Sequence, residues 1–449
     1  TWLVVRPGQR AEVVERRSGN SPPARALLAW LLLSGLPSAL LLAETNIVTS
    51  EIGSFPMLWT IPLALYLGSF MVAFRSRAPV ADALRQFWLE AVLLGLLFYL
   101  LPPVNGYFLF GHLVVFFAIC CIAHRELYQS RPATIHLTKF YVSLAVGGIL
   151  GGAAISLVAP NVFTGLYETP FILLGLLLTF GRRHFRGFVA FWRKSNMLAA
   201  GGRLLLLAAI LMPVVIGSSV VMSLRSNDRF RHRNFYGTYT IVDDPPTVES
   251  PKGYRRLLHG QTLHGVQSLT PDRRRRPLAY YYPEGGIGEV FDGLTSPRNV
   301  AVVGLGSGAV AAYMQDGDHL TFFEIDPDNE EIARKWFAYL DEARGRVNVI
   351  VGDGRLALQQ PVAGSPAYDL VTIDAFSGDG IPTHLLTREA IKVYLSRLYD
   401  QGLLLFHISN RYFDLRAAIK STAADLGLRG AMNVPEVTAN LCPYERPCH

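Results

Sequence analysis

Every long apolar stretch of this 449-residue chain lies before Leu224. Segments of spanning or near-spanning length run at about 26–43, 56–74, 87–101, 107–123, 140–158, 166–181 and 203–224. A helix needs about 20 such residues to cross the hydrocarbon of a bilayer. In lipid, the backbone polar groups must be satisfied within the spanning element itself. The pattern therefore predicts a transmembrane helical bundle of about seven helices over 26–224, behind a basic tail at 1–25. Gly147-Gly148 and Gly151-Gly152 predict a small-residue face suited to close helix packing.

Charge divides the connections into two kinds. Arg75, Arg77 and Arg85 fill one; Arg125, Arg131 and Lys139 another; Arg182, Arg183, Arg186, Arg193 and Lys194 a third. The connections near Glu44–Glu51, Pro102–Gly106 and Pro160–Glu168 carry no lysine or arginine. Basic loops and tails face the cytoplasm. Seven spans from such a start put the C-terminal half outside, whereas Arg225, Arg229, Arg231 and Arg233 after the last span argue for the inside. The expectation taken here is a bacterial plasma membrane protein with its soluble half in the cytoplasm. Arginine beside apolar segments accounts for the net charge of +7, and with no groove-reading motif it does not predict nucleic-acid binding. Glu90 and His112 are the intramembrane candidates for a transport role, and structural or interfacial roles are expected of both. Cys120 and Cys121 lie in an apolar segment, and Cys442 and Cys448 lack a second ligand pair, so no metal site is expected. Thr1 rather than Met opens the chain, as a fragment or a processed start would.

Past Leu224 the pattern changes. From Phe235 to Asp292, short alternating runs such as Tyr236–Val242 and Tyr254–Leu258 read as antiparallel strands. A linker and small β-domain are expected at 225–296. Then Asn299–Val303, an apolar run, feeds Gly304-Leu305-Gly306-Ser307-Gly308-Ala309, with a helix expected next. A strand, a glycine turn and a helix let backbone N–H groups approach a ligand closely. A second run ends in Glu324, with Asp326 two residues on, placed to accept from ribose hydroxyls. A third ends in Gly352-Asp353-Gly354, a fourth in Asp374-Ala375-Phe376, and a fifth runs from Gly402 to Asn410 with His407 and Asn410 at its exit. Ligands of open α/β sheets bind at such strand ends. This predicts an α/β Rossmann-like domain at 297–430, followed by a tail at 431–449.

The four spaced elements resemble the class I methyltransferase-like fold, and within it the spermidine synthase family of polyamine aminopropyltransferases. The soluble half, roughly Phe235 to Leu428, looks like the spermidine synthase-like domain found fused to a multi-spanning membrane region. The resemblance implies that Gly304, Gly306, Ser307 and Gly308 form the nucleoside turn, with Glu324 and Asp326 at the ribose and Asp353 with Gly354 at the adenine. It implies Asp374 as catalytic base, and Gln267, Tyr281, Tyr282 and Asp379 along the amine side. Decarboxylated S-adenosylmethionine, or S-adenosylmethionine itself, enters as co-substrate, with a small-molecule amine as acceptor and no cofactor required. A homodimer through the soluble domain fits the same resemblance.

Three departures from the family pattern stand out, the first two bearing on the substrate and the third on stability. Ser307 stands in the region where the family has an acid that meets the donor's ammonium. Ser377 stands three residues past the base, where the family has a second amine-binding acid, and Asp379 lies nearby. No final apolar strand pair follows Leu428. The reading is a membrane-anchored aminopropyltransferase. The alternatives are a methyl or aminocarboxypropyl transferase using S-adenosylmethionine, or a transporter whose soluble domain only senses nucleosides or polyamines.

Overall fold

The computed structural model describes residues 21–52, 59–101, 106–194, 197–246, 253–260, 262–360, 367–376, 381–408 and 414–432. Its N-terminal half is helical: α1 (Ala24–Ile52), α2 (Thr60–Ala73), α3 (Pro79–Leu84), α4 (Trp88–Leu100), α5 (Gly106–Gln129), α6 (Leu137–Ala153), α7 (Ala159–Val162), α8 (Glu168–Lys194) and α9 (Met197–Leu224). Among the described residues, five helical stretches are long and apolar enough to cross a membrane: Ala24–Ser50, Pro79–Leu100, Tyr107–Gln129, Thr134–Val162 and Met197–Asn227. Two of the seven expected segments differ. That at 56–74 contains a helix of only 14 residues. That at 166–181 opens α8, whose second half carries Arg182, Arg183, Arg186 and Arg193.

Alternate glycines explain the tightest helix pair. A Cβ on Gly151 would lie 2.1 Å from the Gly35 carbonyl oxygen, and one on Gly147 2.6 Å from that of Leu31. Backbone of α1 and α6 therefore meets directly. Gly148 has open space and Gly152 only ordinary contact, so the small-residue face is the Gly147/Gly151 pair. Buried charges in the bundle are partnered. Glu44 meets His112 at 2.9 Å, Glu90 meets Arg203 at 2.6 Å, and Glu126 takes Arg183 at 3.1 Å, His184 at 2.9 Å and Arg85.

The C-terminal half holds two sheets. The first is antiparallel, in the order β1 (Asp228–Arg233), β2 (Thr238–Asp244), β3 (Tyr254–His259), β4 (Thr262–Ser268). After α10 (Gly286–Gly293) the second sheet begins with β5 (Asn299–Val303) and β6 (His319–Glu324). Then come α11 (Pro327–Trp336), β7 (Arg346–Val351), α12 (Gly354–Gln359), β8 (Tyr368–Ile373), α13 (Arg388–Leu395), β9 (Leu398–Phe406) and α14 (Arg416–Asp425). All its pairings are parallel, in the order β7-β6-β5-β8-β9. The order reverses at β5, which makes the crevice between the ends of β5 and β8 the topological switch point. Apolar faces of β5, β6 and β8 are fully buried, as a sheet covered on both sides requires.

One local expectation fails. The glycine turn leads into a five-residue 3₁₀ turn, Ala309–Tyr313, and not a full helix, because Met314 turns extended and Gly317 takes a left-handed conformation soon after. Tyr280-Tyr281 sits in a 3₁₀ turn.

The halves are joined by a buried ion pair. Arg233, at the end of β1, donates two hydrogen bonds to Glu168 at the start of α8 (2.8 and 3.0 Å) and one to the Gly165 carbonyl (2.9 Å). A second buried pair closes the other end of the parallel sheet. Arg298 donates from Nε to Asp318 (2.9 Å) and from its terminal nitrogens to the Phe291 and Tyr313 carbonyls. Burial alone would raise the Asp318 carboxyl. Hydrogen bonds from the Gln315 N–H, Ser296 and Arg298 outweigh it and hold Asp318 below the ordinary aspartate range. This stabilisation is therefore complete above about pH 3.9, the unfolded value. It fades as pH falls through the lower native one. Asp318→Asn should remove it at neutral pH and cost about 3–5 kcal/mol, read by chemical denaturation of the full chain in detergent.

Candidate functional site

The site grows from the carboxyl ends of β5 and β8. Gly304, Gly306 and Gly308 all have positive φ (102°, 53° and 79°). A Cβ on Gly304 would lie 2.3 Å from the Asp374 carbonyl oxygen, so the two strand ends approach only because that position has no side chain. The Asp374 N–H donates to the Val303 carbonyl at 2.8 Å, continuing the ladder through this contact. A Cβ on Gly306 would lie 2.7 Å from the His264 carbonyl oxygen, which places the turn directly against β4 of the antiparallel sheet.

Glu324, at the end of β6, holds the turn from beneath. Its carboxylate accepts the Leu305 N–H (3.0 Å), the Asp326 N–H (2.9 Å) and the Asn329 side-chain amide (3.0 Å). A carboxylate offers about four lone-pair sites, and three of them are taken here. Burial pushes the Glu324 carboxyl above the usual glutamate range, against the opposing pull of those N–H groups. Asp326 is fully buried and caps α11, accepting the Asp328 N–H at 3.0 Å. Its two oxygens also take the Asn234 amide at 2.8 Å, binding the β1–β2 connection to the parallel sheet. Ser307 is fully buried against Gly265, and its Oγ has no hydrogen-bond partner among the described residues.

Asp353, at the end of β7, caps α12 through the Leu356 N–H (2.9 Å) and meets His384 Nε2 at 2.9 Å. Gly354 lies so close to β5 that a Cβ would stand 2.6 Å from Val303. Asp374 is held by two groups: the Tyr281 hydroxyl donates to Oδ2 and His407 Nδ1 approaches Oδ1, each at 2.6 Å. Burial first, and then the Asp374 charge, push the Tyr281 phenol well above its ordinary value. At neutral pH it is a donor to Asp374 and cannot serve as a base. Rings of Phe376 and Tyr280 stand 5.1 and 5.0 Å from that of His407 and wall this side of the mouth.

The structure thus brings together the glycine turn, Glu324, Asp374 and Tyr281. Other expected residues sit elsewhere. Gln267 is buried and donates to the Arg274 carbonyl (3.0 Å), pinning the loop after β4. The Tyr282 phenol is pushed up by burial and by Glu284 and Glu289, not by Asp374. Asp379, Ser377 and Asn410 lie outside the described residues. Sequence reasoning put His407 at the strand exit but did not pair it with Asp374. The signal is register: Ile373 and Phe406 are partners in the parallel ladder, so the next residue on each strand shares one edge.

A parallel sheet with a glycine turn and an acid at its switch point is a Rossmann-like arrangement. No family model matches the chain. It is 31% identical over 112 residues to a polyamine aminopropyltransferase of Vibrio vulnificus, covering 24% of this chain and 37% of that protein. It is 29% identical over 159 residues to a putative O-methyltransferase of Mycolicibacterium smegmatis, covering 34% of this chain and 66% of that one. A probable spermidine synthase of Corynebacterium glutamicum superposes with a TM-score of 0.37 at 20% identity, over 44% of this chain and 69% of that one. The chain therefore spans little more than a third of the Vibrio protein's length. Over part of its C-terminal half the chain is thus similar to a polyamine aminopropyltransferase and to a putative O-methyltransferase.

Asp374→Asn removes the charge beside Tyr281 and leaves the burial. The Tyr281 phenol should then titrate lower than in the parent chain while staying above about 10, followed by NMR of ring-labelled tyrosine. A Tyr281 titration that does not move would show that the two groups are not paired.

Proposed function

We propose that the chain is a membrane-anchored aminopropyltransferase that takes decarboxylated S-adenosylmethionine and a polyamine acceptor. The observation that carries this reading is Asp374, gripped by Tyr281 and His407 at the mouth beside the glycine turn. The similarity to the Vibrio polyamine aminopropyltransferase supports it.

In this reaction the acceptor nitrogen's lone pair attacks the aminopropyl carbon bonded to sulfur. The carbon–sulfur bond breaks with its electrons going to sulfur, which leaves as the neutral thioether methylthioadenosine. No anion develops on the leaving group, so the site needs no oxyanion hole. The acceptor's difficulty is its proton: an alkylammonium resembles lysine, with a pKa near 10.4. A carboxylate attracts that ammonium and takes a proton as attack proceeds. Asp374 fills this role, with Tyr281 and His407 fixing its orientation. Backbone N–H groups of the Gly304–Gly308 turn approach the nucleoside, Glu324 accepts from the ribose, and Asp353 serves the adenine edge. Asp326, Gly354 and Gln267 act behind these groups, holding α11, α12 and the loop at Arg274. Asp379 belongs to the amine side of this proposal.

One observation favours a second reading. Ser307 leaves the donor pocket without an acid at that position, and such a pocket accommodates the carboxylate of ordinary S-adenosylmethionine, which an aspartate would repel. Methyl transfer would follow, in line with the similarity to a putative O-methyltransferase. The helical half we assign to a membrane, from five long apolar helices and from outward apolar side chains such as Ile149, Leu157 and Leu205.

Purified full chain incubated with either sulfonium nucleoside and a panel of amines separates the readings. Aminopropylated amine with methylthioadenosine is expected from the decarboxylated donor. Methylated acceptor with S-adenosylhomocysteine, formed only from S-adenosylmethionine, would replace the first reading by the second. Nucleoside binding without product from either donor would leave a sensing domain. Asp374→Asn should lower turnover by at least about 10²-fold while nucleoside affinity stays within about tenfold; a fully active variant would remove Asp374 as base.

A further inference from the structure

Packing assigns every short connection of the bundle to one of two ends. At one end the Trp30 indole donates to the Ser130 carbonyl (3.1 Å) and Lys139 to Ser21 (3.0 Å). There Arg125 donates to Asp82 and to the Arg75 carbonyl (both 2.7 Å), and Glu126 collects Arg85, Arg183 and His184. The starts of α1, α4, α6 and α9 and the ends of α2, α5 and α8 therefore share this end. At the other end His112 of α5 meets Glu44 of α1 and the Leu101 carbonyl after α4. Gly217 of α9 lies against Leu100, and the Arg225 guanidinium stands 5.2 Å from the Tyr167 ring.

The soluble half docks on this second end. Arg233 grips Glu168 and the Gly165 carbonyl, Arg231 donates to Tyr167 (3.2 Å), and a Cβ on Gly260 would lie 3.0 Å from the Ser50 carbonyl oxygen. Charge follows the same division. Between residues 21 and 194 the chain has twelve lysines and arginines, and all belong to the first end. The described stretches 44–52 and 159–168 at the second end have none.

From these we infer that the basic end of the bundle is the surface that meets the anionic cytoplasmic leaflet, so the spermidine synthase-like domain projects from the opposite face of the membrane. Short loops decide orientation, and long domains cross largely regardless of their charge. Arg225, Arg229, Arg231 and Arg233 open such a long domain, so they weigh less than the three short basic connections. Anionic lipid attracts basic residues near its surface at about 1 kcal/mol each, and only one end of this bundle can collect that attraction. The orientation is opposite to the cytoplasmic one expected from the arginines after the last span. α2 and α8 complete the alternation, giving seven passages between the ends. For the proposed chemistry, the acceptor amine is drawn from the outer compartment, and a donor nucleoside made in the cytoplasm must cross the membrane to reach Asp374.

The inference rests on the membrane assignment made above and not on which group is transferred. Its test uses the full chain in bacterial membranes with Cys442 and Cys448 replaced by serine. One exposed cysteine is then added, either Glu331→Cys on α11 or Ser76→Cys in the first basic connection. A membrane-impermeant maleimide is applied to intact cells with a permeabilised outer membrane, and to inverted vesicles. Glu331→Cys should label in cells and Ser76→Cys only in inverted vesicles. The reverse pattern, or both sites labelling from one side, would overturn the inference. Release of the chain by alkaline carbonate would instead overturn the membrane assignment, so the two failures are distinguishable.

Discussion

The C-terminal half depends on one close approach. β5 and β8 can end side by side at their crevice only because Gly304 has no side chain to meet the Asp374 carbonyl. That contact sets Asp374 beside the glycine turn. Adding a Cβ there would force the strand ends apart, and packed interiors accommodate such a shift poorly. The same economy of space recurs at Gly306 against β4 and at Gly354 against Val303. Backbone geometry thus creates the site, and the acids are then hung on it.

What the sequence revealed follows from that order. Strand ends were legible, because an apolar run followed by glycine or an acid is a local pattern: β5 begins and ends where expected, β8 ends just before Asp374, Glu324 ends β6, and Asp353 lies two residues past the end of β7. Partners across the fold were not legible. His407 meets Asp374 through strand register, Asn234 reaches Asp326 from another sheet, and His384 reaches Asp353 from the connection after β8. Each pair is separated by at least 31 residues, and no local periodicity records such a distance. Gln267 and Tyr282 show the converse: adjacent positions on a strand or turn face different ways, and composition does not say which faces the mouth. In the bundle, hydropathy located the segments but overstated their reach, since α2 is short and α8 changes from apolar to basic midway.

The joint between the halves is electrostatic rather than apolar. Arg233 and Glu168 are both buried and mutually bidentate, with a further bond from Arg233 to the Gly165 carbonyl. A buried pair adds little net stability over an apolar substitute, yet breaking it strands a charge. Such a joint tolerates one geometry and penalises others.

The bundle obeys the same rule. Glu44, Glu90, Glu126 and Glu168 are its buried glutamates among the described residues, and each has a basic partner within 3.1 Å. Charges are costly at membrane depth and mark function mainly when they face a path or lack a fixed counter-ion. Here they tie helix to helix: α1 to α5, α4 to α9, α5 to α8, and α8 to β1. Glu126 is the extreme case, drawing Arg85, Arg183 and His184 to one point. Those ties lock the register of neighbouring helices along the bundle axis, and so fix which connections share an end. The segregation of basic residues is therefore a property of the folded bundle, carried by the same carboxylates that hydropathy alone would count as flaws.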